Sequence, residues 1–262
     1  MVFSRIVVGF DGRAGGLDAV ALARRLAAPG STVTLVTVVS SEDDAPEAEH
    51  VLAGLPADDA HTTATVVAGS VTRGLQAAAA RHDADLLVLG SCHHGLVSRV
   101  LLGNDALRTL RAAPCPVALA PVGYRDADRP IGAVGVAWDG SPEAEGALVL
   151  GRALCADTGA ALHAMQVIPI GEWISVPNAY SGPEFDEAAR RAQERLDGLT
   201  GVRGEARVGS VVEELGAFAT TVDLLALGTH PHGAFGRLVL GSTAEEMVRC
   251  CPRPLLVVPG GQ

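Results

Sequence analysis

The sequence predicts an α/β protein built as two repeated doubly wound domains, each a five-stranded parallel sheet with helices on both faces. The first observation behind this is an internal repeat. RIVVGFDGRAGGLDAVALARRLA is answered by IGAVGVAWDGSPEAEGALVLGRALC, DADLLVLGSCHHGLVSRVLLGN by TVDLLALGTHPHGAFGRLVLGS, and APCPVALAPVG by CPRPLLVVPGG. Gly90 and Gly228 are 138 residues apart, and so are Gly103 and Gly241. The second is an alternation of short β-branched runs with helical patterns, which implies a parallel sheet covered on both faces. The third is composition: 48% hydrophobic residues in a chain of 262 suffices for two real cores.

In the first half, Arg5 to Phe10 is a continuous apolar run suited to a strand buried on both faces. A helix follows from about Gly15 to Ala28, stopped by Pro29-Gly30, and Thr32 to Val39 is the next strand. Asp43 to Leu55 reads as a weaker helix, Thr62 to Ala68 as a strand and Val71 to Arg81 as a helix. A strand over Asp85 to Leu89, a helix after Gly103 and a strand over Pro116 to Ala120 complete the unit. The second half repeats the order. Ser141-Pro142-Glu143 marks its first helix with an N-cap hydroxyl, a proline at the first helical position and an acid in the first turn. The polar join Tyr124 to Pro130 separates domains placed at 1–125 and 130–262.

The balance of 20 basic and 30 acidic residues gives a net charge of −10, a field that repels nucleic acid and anionic membrane. Every basic residue other than histidine is arginine, so a Walker lysine and lysine Schiff-base chemistry are excluded. Five cysteines without a C-x-x-C pair suit a reducing compartment. With no apolar run near the roughly 20 residues that span a bilayer, a cytoplasmic setting is expected.

In an open parallel sheet, ligands bind beyond the carboxyl ends of the strands. The Asp11-Gly12 and Asp139-Gly140 turns should therefore meet the glycine-rich loops of each half. The stretch Val222 to Pro259 carries a strand ending at Gly228, a Gly- and His-rich loop, and Gly241-Ser242 opening a helix. Such a helix start offers free backbone N–H groups and the positive end of the dipole to a phosphate. Ser242 and Glu245 have capping-box spacing, and Thr243 adds an uncharged hydroxyl. The first-half counterpart, Gly103-Asn104-Asp105, puts a carboxylate where it would repel bound phosphate, so the second half is the better site. Arg99 and Arg237 hold equivalent positions from which a guanidinium could reach phosphate, or could simply face solvent.

Cys92, His93 and His94 on one loop, with His230 and His232 on its equivalent, lack the helical spacing of a metal set, and no metal is assigned. The segment Pro169 to Pro183, with Trp173 and Tyr180, is either a lid over the second site or a plain connection. There is no G-x-S-x-G elbow, no H-E-x-x-H and no paired carboxylates in a motif, so no catalytic residue is assigned, and slow hydrolysis of a bound phosphate ester is left open.

Val136, Asp139, Gly140 and Ser141 as V-x-x-D-G-S, the D-L-L-x-L-G run Asp223 to Gly228 and the closing P-x-P at Pro252 to Pro254 resemble the universal stress proteins in tandem form. The resemblance covers nearly the whole chain and implies strand order 3-2-1-4-5 in each half. Nucleotide-binding members carry Gly, two residues, Gly, nine residues, then Gly with Ser or Thr. Here the middle glycine is Pro231 in the second half and His93 in the first, and the final pairs are Gly241-Ser242 and Gly103-Asn104. The resemblance implies ATP or another adenine nucleotide, with Mg2+ as an optional companion, as the cofactor. It places the preferred site at Asp139, Val167, Gly228, Gly233, Arg237, Gly241, Ser242 and Thr243, and a weaker one at Asp11, Val38, Gly90, Gly95, Arg99, Gly103 and Asn104. Asp11 and Asp139 would meet the ribose or adenine end, and the backbone of Val38 and Val167 the base; an ordinary Asp-Gly turn is the alternative. The resemblance also implies that the last strands, Pro116 to Ala120 and Leu255 to Val258, pair as an internal pseudo-dimer, with a homodimer as a further possibility. The function expected is a cytoplasmic stress-response protein regulated by nucleotide; a nucleotide-free scaffold acting through its surfaces is the alternative.

Overall fold

The computed structural model describes residues 3–54, 61–91, 104–127, 130–170, 183–232, 237–239 and 241–259. The first half runs β1 (Phe3–Gly9), α1 (Ala14–Leu26), β2 (Ala27–Val39), α2 (Ala45–Ala53), β3 (His61–Val67), α3 (Val71–Arg81), β4 (Leu86–Gly90), α4 (Asn104–Ala112) and β5 (Val117–Ala120). The second runs β6 (Ala133–Ala137), α5 (Pro142–Thr158), β7 (Ala161–Pro169), α6 (Pro183–Asp197), β8 (Arg203–Gly209), α7 (Val211–Ala219), β9 (Leu224–His232), β10 (Arg237–Val239), α8 (Ser242–Cys250) and β11 (Leu255–Pro259).

Ten of these strands lie in the order β3-β2-β1-β4-β5-β11-β9-β6-β7-β8, so each half has the 3-2-1-4-5 order. Within each half these neighbours are parallel. β5 and β11 meet antiparallel, with Leu255 opposite Leu119 and Val257 opposite Val117, and close two edges into one sheet. Successive strand residues point to opposite faces. Val8, Leu86, Ala118, Val134 and Leu256 accordingly pack with α1 and α5 in one core, and Val7, Leu87, Val117, Leu225 and Val257 pack with α3, α4, α7 and α8 in the other. Both cores cross the seam between the halves.

Several local expectations are corrected. Pro29-Gly30 does not separate helix from strand, because β2 already begins at Ala27; Phe3 faces Ala27 but Arg5 faces Thr32, and the intervening residues accommodate Gly30 at φ 77°. A 3₁₀ turn over Glu42–Asp44 precedes α2, where Ser40 and Ser41 both donate to the Asp44 carboxylate. β9 does not stop at Gly228. It continues to His232 because β10 folds back on it, with Arg237 opposite His232 and Val239 opposite His230.

Burial of thiols has a measurable consequence. Desolvation pushes Cys115 up to about 12 and Cys251 up to about 11, with nearby Asp85 adding to the shift at Cys115, whereas Cys250 is exposed. At neutral pH a thiol reagent should label Cys250 well before Cys115 or Cys251, which react on unfolding. Equal rates for all three would contradict this packing. Because the unfolded thiol at position 115 titrates near 9.0 and the folded one near 12, stability should fall as pH rises across that window, where only the unfolded chain has released its proton.

Candidate functional site

Gly228 ends the central run of β9 where the first turn of α5 crosses it. A Cβ at Gly228 would lie 2.2 Å from the Glu143 carbonyl oxygen and 2.9 Å from the Ala144 nitrogen. The first half repeats the arrangement, where a Cβ at Gly90 would lie 1.9 Å from the Gly15 carbonyl oxygen. These two glycines are thus demanded by strand–helix contact. Just beyond them, Ser91 donates to the Ala120 carbonyl at 2.9 Å and Thr229 to the Val258 carbonyl at 3.2 Å, tying β4 to β5 and β9 to β11.

The Asp-Gly turns are also built alike. Asp11 accepts from the Arg13 N–H at 3.0 Å and Asp139 from the Ser141 N–H at 2.9 Å, with Gly12 at φ 75° and Gly140 at φ 83°. Such Asx turns use one carboxylate oxygen each, and the other oxygen of Asp11 faces the Arg13 guanidinium at 4.0 Å. Ser141 caps α5 through the Ala144 N–H at 3.2 Å, as its sequence implies. Trp138 precedes the turn, buried, with its indole N–H donating to Glu145 at 2.8 Å.

At the carboxyl ends of β6, β7 and β9 lies a cavity of about 450 Å³. Asp139, Val167, Gly228, Gly241, Ser242 and Thr243 all line it, so six of the eight residues assigned to the preferred site come together. Arg237 is placed in β10, and Gly233 lies outside the described residues. The first turns of α5, α7 and α8 reach the cavity wall. The capping box expected at Ser242 does not form. Gly241 is the N-cap and Ser242 the first helical residue, without a capping bond, and Glu245 instead accepts from Arg111 of the first half. With Gly241 as the N-cap, Glu245 falls one residue beyond the capping-box position, and its carboxylate meets the guanidinium across the seam instead.

The first half has a smaller equivalent, about 320 Å³, lined by Asp11, Val38 and Gly90 among others. Asn104 opens α4, whereas Gly95, Arg99 and Gly103 lie outside the described residues, as do Cys92, His93, His94 and most of the Pro169–Pro183 segment. Among the described residues no cluster of His, Cys, Asp and Glu could hold a metal ion. No described helix is long and apolar enough to cross a membrane.

Sequence reasoning missed Val211 and Leu215 of α7, which line the larger cavity, although their counterparts Val71 and Leu75 line the smaller. The repeated Gly-Ser-Val at 69–71 and 209–211 was the available signal. It also missed Gln166, buried beside Val167 and held by Arg195 at 3.1 Å; Thr37 stands there in the first half and the repeat gives no hint.

Comparison with known proteins decides the family. The model of the universal stress protein family matches twice, over residues 3–121 and 131–259. The chain belongs to the universal stress protein family. A universal stress protein of Mycobacterium tuberculosis is 30% identical over 204 residues, covering 73% of this chain and 70% of the relative. One from Thermus aquaticus is 31% identical over 135 residues, 47% of this chain and 95% of the relative, as befits a single domain matched to a tandem chain. The crystal structure of a universal stress protein from Archaeoglobus fulgidus has a TM-score of 0.68 at 18% identity, covering 98% of this chain and 99% of that one. This universal stress protein therefore shares that fold over 98% of its length.

Proposed function

We propose that this universal stress protein binds an adenine nucleotide, ATP foremost, in the cavity of its second domain, as a regulatory ligand in a cytoplasmic stress response. The proposed domains are 1–125 and 130–262. Gly241 carries the reading. Its backbone, at φ −63° and ψ 160°, is open to any residue, and a Cβ there would meet no atom of the described residues within 4 Å. Packing among the described residues gives no reason for glycine at this N-cap. Close approach of a phosphate to the backbone N–H groups of α8 does. In this reading Gly241, Ser242 and Thr243 hold phosphate oxygens, Asp139 uses its second carboxylate oxygen on the ribose, and the Val167 backbone meets the base. Mg2+, where present, would offset phosphate charge. Gly228 lets α5 approach and also lines the cavity in which the ligand would sit. A cavity of about 450 Å³ is in the size range of small-molecule sites.

The surface-scaffold reading has one observation in its favour. Pro231 sits in β9 opposite Leu238 and brings no N–H to the place of the signature's middle glycine. Calorimetric titration with ATP separates the two. Native protein should bind, and Gly241→Asp should abolish measurable binding, because a carboxylate about 4 Å from a phosphate costs about 4 kcal/mol per charge pair at an effective dielectric near 20. No heat from native protein at millimolar ATP would leave the scaffold reading standing.

A further inference from the structure

We infer that Arg111 of the first domain sets the anion affinity of the second domain's cavity by neutralising Glu245; this rests on the nucleotide reading above. Gly241 to Ala244 line the cavity, and Glu245 is the next residue of α8, its N–H bonded to the Gly241 carbonyl at 3.0 Å. An acid in a first turn stabilises an empty helix terminus but opposes an anion arriving there. Arg111, in the last turn of α4, donates from its Nη2 to Glu245 Oε1. The donor belongs to one domain and the acceptor to the other.

The bridge is made once, although the fold is duplicated. With the 138-residue offset, Arg249 stands where Arg111 does and Leu107 where Glu245 does, and Leu107 is buried in the apolar core. The first domain thus neutralises an acid at the second domain's helix terminus, and at the position equivalent to Glu245 the first domain has an apolar residue instead. A related device works inside the second domain, where Glu214, in the first turn of α7, is paired with Arg207 at 3.1 Å. Two first-turn acids near this cavity, Glu214 and Glu245, are thus met by arginine, that of α8 being supplied by the other half of the duplication, while Asp139 and Glu143 also line the cavity and Asp139 accepts from the Ser141 N–H.

The Arg111 side chain is 50% exposed and that of Glu245 29%, so solvent screens the effect and ties it to ionic strength. In ATP titrations of the full chain at about 0.01 M ionic strength, where the Debye length is about 30 Å, Arg111→Gln should weaken binding about three- to tenfold. At about 1 M, where that length is about 3 Å, the difference should nearly vanish. Glu245→Gln alone should bind at least as tightly as native protein, and the double variant should recover the native affinity. A merely structural role for Arg111 would show neither the salt dependence nor the rescue. Native-like binding by Arg111→Gln, or a double variant no better than Arg111→Gln, would overturn the inference while leaving the nucleotide site intact. Failure of native protein to bind ATP would overturn both.

Discussion

Replacing Gly228 by alanine is expected to lower the stability of the fold by more than about 3 kcal/mol, because a methyl group there would be driven into backbone rather than a yielding side chain. The nearest atoms are the carbonyl oxygen and carbon of Glu143, at 2.2 and 2.4 Å, in the first turn of α5. Relief requires α5 to move off β9, and α5 brings Ala144, Ala147 and Leu148 into the core shared with Val136 and Val258. At about 2–4 °C per kcal/mol for a chain of this size, the melting temperature should drop by about 6–12 °C or more. Gly90→Ala should behave alike, since its Cβ would sit 1.9 Å from the Gly15 carbonyl oxygen. Gly241→Ala is the control: its methyl group meets no atom of the described residues within 4 Å, and the change costs only the N-cap preference for glycine, about 1 kcal/mol, so the melting temperature should stay within about 4 °C of native. A Gly228→Ala protein that melts with Gly241→Ala would show that α5 does not rest on β9 as closely as the structure has it.

These glycines illustrate what the sequence could and could not carry. The duplication made Gly90 and Gly228 equivalent, and the strand patterns around them placed both at strand ends, so their location was legible. Their reason was not, because a family signature cannot separate a glycine that packs from one that meets a ligand. Buried runs such as Leu86 to Leu89 were equally legible, since both faces of the strand are covered. The extension of β9 through His232 was hidden by Pro231, a poor strand former that is tolerated here in a short antiparallel pairing with β10. The Ser242–Glu245 spacing misled for a different reason. The helix starts one residue earlier than that spacing assumes, with Gly241 as its N-cap, and the Glu245 carboxylate pairs with Arg111, 134 residues away in the chain. A partner so distant leaves no trace in local spacing.

Asp18 shows the same blindness and supports the other large effect. It lies in α1, 1% exposed, and its counterpart in the duplicate is Gly146, so comparing the halves gives no clue to its use. The structure shows both oxygens engaged: one accepts from the Gly123 N–H at 2.9 Å and the other from the Arg125 N–H at 3.0 Å. Gly123 there adopts a left-handed φ of 76°, and the chain turns toward the second domain. Next to this clamp Tyr124 is buried, the Arg25 guanidinium stacks 4.8 Å above its ring, and Arg25 also donates to the Ala127 carbonyl. Asp18→Ala would orphan two backbone donors at a cost of about 1–3 kcal/mol each, so a loss of about 2–6 kcal/mol is expected. Asp18→Asn keeps one acceptor and should lose roughly half as much. The loss should be local first. Limited proteolysis should cut the segment near residues 123–127 faster in Asp18→Ala than in native protein, ahead of any change in β5 and β11, which are held by the paired strands themselves. If Asp18→Ala resists protease and heat as the native protein does, the carboxylate is not what fixes the crossing between the domains, and the stacked Arg25–Tyr124 pair must hold it alone.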